Sequence, residues 1–193
     1  MTNWKTTDFQ SVNINYSNKA EGKYLISLRD DFVNGLSPFD LEARCGFKGA
    51  TIWDYLLLCR DSVLDWAENE ISMLEGLFWE IGSELKRHGM AIPSVETINV
   101  VKTTSIEEGG AMGYTRGNTI YVAESVMKKS EGKIEELLTH ELFHILTRSS
   151  LAFKEEVYKI IGFTGEYLSR NCHERAESFS DRSEKGKYRS LKC

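Results

Sequence analysis

The stretch IEELLTHELFHILTR, residues 134–148, decides how the chain is read. Ile134, Leu138, Leu142 and Ile145 recur in it at steps of three and four, the spacing of one apolar helix face that anchors to a core. His140 and His144 share a different face. Residues four apart on a helix stand one above the other with Cβ atoms about 5–6 Å apart. Both imidazoles can therefore reach one ion at the roughly 2.0–2.1 Å that zinc requires. Glu141 is turned about 100° from His140, so it need not bind the ion. Its carboxylate is free to hold and deprotonate a water on the metal, whose pKa zinc lowers toward about 7. The spacing H-E-x-x-H thus assigns His140 and His144 as metal ligands and Glu141 as general base of a metal-assisted hydrolysis.

A hydrolytic zinc site needs a third protein ligand and an open fourth position. The sixth residue after His144 is Ser150, so the extended pattern that ends in a third histidine fails. A downstream carboxylate is expected instead. Glu155 or Glu156 qualifies if a short turn over residues 149–152 folds the following helix back beside His144.

At THELFHILTR the chain resembles the zincin superfamily, and within it the gluzincin-type zinc metallopeptidases. The resemblance is specific at the motif and looser over residues 97–168. It implies an α+β, zincin-like fold in which a small β-sheet packs on the H-E-x-x-H helix, with additional helices. It implies Zn2+ as cofactor, a peptide or protein as substrate, and peptide-bond hydrolysis with Glu141 as base. An edge strand beside the active helix pairs with the extended substrate in such folds, and NTIYVAE (residues 118–124) is the candidate. Glu177, in AESFSD, carries over as third metal ligand beside His140 and His144, with Asp181 as a supporting acid. Glu155 or Glu156, or no residue of this chain, remain the alternatives, and His173 is a minor contender. The segment after His144 is short for the C-terminal subdomain of most gluzincins. The competing reading is a catalytically incomplete zincin-like module with a regulatory or interaction role. A third is a helical interaction domain with an accidental motif.

Working outward from the motif, Ile71, Leu74, Leu77, Phe78, Ile81 and Leu85 put an apolar face on a helix over residues 69–89, closed by Gly89. TINVVKTT (97–104) and NTIYVAE read as strands. The glycine-rich stretch between them lacks phosphate-loop spacing and reads as a tight bend or bulged edge. Its Tyr114 and Arg116 are candidates for lining the cleft and stabilising an oxyanion, against turn residues with solvated side chains. Thr51 caps a helix through residues 52–66, and a last helix covers residues 153–161. Residues 1–36 are polar, with one strand near residues 24–28. The expected organisation is one zincin-like domain over 1–163, including that polar N-terminal segment, and a polar, atypical or truncated tail over 164–193.

Composition is ordinary for a globular chain of 193 residues, 41% hydrophobic and 27% charged, so disorder throughout is not expected. The net charge of −5 lacks the excess of basic residues that nucleic acid or an anionic membrane demands. No signal peptide or membrane-length apolar run is visible, and the expected compartment is cytoplasmic. Cys45, Cys59, Cys172 and Cys193 form no C-x-x-C pair and read as free thiols.

Overall fold

The structure, a computed structural model, describes residues 4–160. In chain order these form β1 (Thr6–Thr7), β2 (Asn13–Tyr16), α1 (Lys19–Ile26), α2 (Asp31–Asn34), α3 (Pro38–Cys45), α4 (Ile52–Ser62) and β3 (Val63–Leu64). There follow α5 (Glu68–Arg87), β4 (Ile92–Pro93), β5 (Thr97–Thr103), β6 (Gly113–Arg116), β7 (Thr119–Ala123), α6 (Glu131–Ser149) and α7 (Leu151–Ile160). The architecture is α+β. The main sheet is mixed, in the order β2-β5-β7-β6, with β3 also paired to β5. β2 and β7 run parallel to β5, and β3 and β6 run antiparallel to their partners. β1 and β4 make a separate two-stranded pair.

The sheet is covered on both sides, which is why TINVV and TIYV read as near-continuous apolar runs. Successive side chains of a strand alternate between faces. Ile98 and Val100 of β5 and Ile120 and Val122 of β7 therefore meet one layer, built from Leu74, Leu77, Phe78 and Ile81 of α5 and from Ile134, Leu138, Leu142 and Ile145 of α6. Val101 and Tyr121 point the other way, into a layer with Ile26, Leu41, Tyr55, Leu56 and Cys59. Each such aliphatic side chain contributes about 1.5–3 kcal/mol on full burial. No helix of the described residues is long and apolar enough to cross a membrane.

Several expectations hold. Thr51 caps α4, accepting from Asp54 N while the Asp54 carboxylate accepts from Thr51 N at 2.8 Å. α5, β5, β7, α6 and α7 lie where the periodicities placed them. Others need correcting. Residues 24–26 lie in α1, not in a strand. The helix starts on a capping box, in which Asn18 accepts from Ala20 N and Glu21 N and Glu21 accepts from Asn18 N. α4 stops at Ser62 because Val63 and Leu64 leave the helix to pair with Thr103 and Lys102. NTIYVAE is not the edge strand. β7 is interior and buried along its whole length, because the glycine-rich GYTR folds as β6 outside it. The two strands are joined through Gly117, whose φ of 57° is open to glycine without strain.

Two substitutions separate local from tertiary contributions. Leu138→Ala should lower the unfolding free energy by about 2–5 kcal/mol through a cavity between α6 and the sheet. Asn18→Ala should cost only about 1 kcal/mol, the loss of one cap. Urea titrations followed by circular dichroism measure both, and equal losses would contradict the layering.

Candidate metal centre

α6 lies across the sheet with its apolar stripe inward, and this fixes where the motif points. Leu142 and Ile145 are buried, His140 is exposed and His144 is half-buried. The Nε2 atoms of His140 and His144 stand 3.0 Å apart, with ring centroids 4.7 Å apart and the rings nearly perpendicular. Two nitrogens bound to one tetrahedral ion at roughly 2.0–2.1 Å are themselves about 3.3 Å apart. The pair is therefore arranged much as shared ligation demands, and two imidazoles are a donor set that zinc accepts. Burial, followed by the neighbouring His140 and Arg148 charges, pushes the His144 pKa down, toward the neutral imidazole that a metal requires.

Glu141 is only 4% exposed although its residue type is charged. Burial raises its pKa, and His140 and Arg148 oppose that rise less strongly. Its environment favours the protonated acid more than water does, which is the tuning a proton acceptor and donor needs. His140 and Glu141 line a groove of about 790 Å³ between α6 and the start of β6, walled by Met112, Gly113 and Leu137 and rimmed by Lys129, Ser130, Lys133 and Glu136. His144 opens on the other side into a concavity of about 360 Å³ with Thr147, Arg148, Leu151, Lys154 and Tyr158.

The edge strand is fixed relative to α6 by alternation. Gly113 and Thr115 face the motif helix. A Cβ at Gly113 would lie 3.2 Å from both Leu137 methyl carbons and from the Tyr121 carbonyl oxygen, so glycine is what permits the close approach. Arg148 donates to Thr115 Oγ1 and, at 3.2 Å, to the Gly117 carbonyl, tying the end of α6 to the β6–β7 turn. Tyr114 and Arg116 face the opposite layer. Tyr114 stacks on Tyr121 at 4.7 Å and donates to Glu107 Oε1, while Arg116 is held by Asp30 Oδ2 and the Ile26 and Leu28 carbonyls. Neither lines the cleft, so the oxyanion role does not stand, and neither is a solvated turn residue. Strand alternation in β6 sends both to the rear of the sheet.

α7 does fold back after a single extended residue, Ser150, whose hydroxyl accepts from Phe153 N. Its phase is set by Phe153 packing edge-on against Trp4 and by Tyr158 packing edge-on against Phe143. That phase turns Lys154 and Tyr158 toward His144, not Glu155 or Glu156. Among the described residues no third His, Cys, Asp or Glu joins the two histidines in a group able to hold a metal. Glu177, Asp181 and His173 lie outside the described residues. Arg148 was missed from the sequence, although it stands four residues after His144 and so continues the 140–144 face. Lys154 and Tyr158 depended on the α6–α7 angle and carried no such signal.

Residues 96–151 match the family model of the eCIS core domain. The matched segment runs from the start of β5 to the end of α6, and so contains the sheet edge and the whole motif. Neither the curated proteins nor the solved structures gave a match.

The edge-strand geometry makes its own prediction. Gly113→Val should cost about 1–3 kcal/mol, because the Tyr121 backbone oxygen cannot move aside as Leu137 can. Arg148→Ala should cost about 1 kcal/mol and speed amide exchange in the β6–β7 turn selectively. Hydrogen exchange with site resolution reads this, and unchanged protection at residues 115–118 would remove Arg148 from its role.

Proposed function

We propose that the chain is a zinc-dependent metallopeptidase of zincin-like fold. The observation that carries the reading is the convergence of the His140 and His144 Nε2 atoms beside a buried Glu141, at a groove bordered by a strand edge that pairs with no other strand among the described residues. The eCIS core model matches residues 96–151, which include the motif, and names no reaction.

In this reading His140 and His144 hold the ion, and Glu177 is the proposed third ligand. When bound, zinc supplies Lewis acidity and lowers the pKa of a water in the open position. The Glu141 carboxylate would accept a proton from the attacking water and would return it to the departing amine nitrogen as the C–N bond breaks, a shuttle favoured by its burial. The edge of β6, unpaired among the described residues, offers backbone N–H and C=O groups that would align an extended peptide along the groove. Thr147 does not take part; its hydroxyl bonds the Phe143 carbonyl within α6. The second reading, a catalytically incomplete zincin-like module, is favoured by the turning of Glu155 and Glu156 away from the pair, and it prevails if Glu177 supplies no ligand.

Metal content and turnover test the reading together. The full chain, purified with zinc, should bind close to one ion, with the His140→Ala and His144→Ala variants losing most of it. Glu141→Gln should keep the ion and lose peptide hydrolysis by about 100-fold or more, since it removes a proton acceptor and no ligand. Glu177→Ala should weaken zinc clearly more than Glu155→Ala or Glu156→Ala. Full zinc retention in either histidine variant ends the assignment. One ion bound without hydrolysis of any peptide selects the incomplete module.

A further inference from the structure

The chain is acidic overall, with a net charge of −5, yet the surface on both sides of the motif is not. The groove at His140 and Glu141 carries Lys129 and Lys133 on its rim, and the concavity at His144 carries Arg148 and Lys154. Apart from the buried base Glu141, Glu136 is the carboxylate among these lining residues, and it is bonded to Lys133 at 2.6 Å. Among the described residues Lys129, Lys154 and Arg148 make no ion pair within salt-bridge distance. Between the two cationic ends lie the exposed Met112 and the side chain of Leu137, an apolar stretch facing the edge of β6.

Along α6, Lys133 and Arg148 are separated by about 22 Å at 1.5 Å per residue. An extended chain covers that span in about six or seven residues. Glu141 stands near the middle, so each cationic end is about three residues from it along an extended occupant.

We propose that this site is selective for acidic polypeptide segments, extended along β6 with an apolar residue near Glu141 and carboxylates about three residues to either side. The inference rests on the hydrolase reading for what happens to the bond, and on the groove's charge for what enters. Clustered lysines and arginines attract phosphates as well as carboxylates. The strand edge decides between them, because its backbone donors and acceptors pair with a polypeptide and offer a nucleic acid no equivalent register. Opposite charges at such a rim act mainly by selecting and steering the partner.

Binding can be read without turnover. The full-length Glu141→Gln chain, loaded with zinc, is titrated against fluorescein-labelled decapeptides that share one apolar centre. These carry Glu, Gln or Lys at the two flanking positions. The Glu peptide should bind about 5- to 10-fold more tightly than the Gln peptide at low salt. That preference should shrink to about twofold at about 0.5 M salt. Reversing the exposed charges in Lys129→Glu/Lys133→Glu should strongly reduce the preference for the Glu over the Lys peptide, and reversing the half-buried Lys154→Glu should reduce it less, because Arg148 remains at that end. Equal affinities, tighter binding of the Lys peptide, no peptide binding, or displacement of the Glu peptide by an oligothymidylate of matched charge would each overturn the proposal. The two readings fail separately. A zinc-loaded wild-type chain that cleaves all three peptides alike sinks only the acidic selectivity. Acid-selective binding with no cleavage sinks the hydrolase reading and leaves the charged groove standing.

Discussion

The burial of one helix face against β5 and β7 is the constraint on which the rest depends. Ile134, Leu138, Leu142 and Ile145 of α6 meet Ile98, Val100, Ile120 and Val122 of the sheet, and all eight are buried. A helix seated this way has no rotational freedom left. His140 and His144 must then project past the sheet margin, while Glu141, one position on, is caught at the boundary of the core. Its burial is a by-product of the same packing, and that burial raises its pKa. Core stability and proton chemistry are set by one rotation angle.

The sheet margin is held from both sides. At the front, Arg148 reaches from α6 to Thr115 and the Gly117 carbonyl, and Gly113 lets the strand come within contact of Leu137. At the rear, Tyr114 and Arg116 lock into Glu107, Asp30 and two backbone carbonyls. A four-residue edge strand would otherwise be poorly determined, because among the described residues it has a ladder partner on one side only. The rear contacts are partly or wholly buried and charge-assisted, the class of hydrogen bond that is strong and costly to lose. These contacts hold the register of the groove wall that β6 forms.

Much of this was legible beforehand where the determining forces are local. The period of three and four in residues 134–148 and 71–85 located α6 and α5 and named their inward faces, because an amphipathic helix encodes its own orientation. The β-branched runs located β5 and β7. The spacing of His140 and His144 foretold their convergence, since helical rise and turn alone bring the two rings together. Less legible was the N-terminal segment, where NINY is too short and polar to read as a strand. It becomes β2 only because β5 offers a parallel edge at Thr97–Val100.

What the sequence determined by itself is therefore the motif helix, its buried face and the pairing of two imidazoles with a carboxylate, all fixed by periodicity within one element. What only the tertiary structure decided is which strand forms the edge, which face Tyr114 and Arg116 occupy, and which α7 side chains meet His144. Strand order is a competition between distant segments for the same ladder, and β6 took the outer position from β7 through a turn at Gly117. The phase of α7 was set by Phe153 against Trp4 and Tyr158 against Phe143, contacts with residues outside that helix. Those contacts presented Lys154 rather than Glu155 to the site, because a helix turned by one residue rotates its whole face by about 100°.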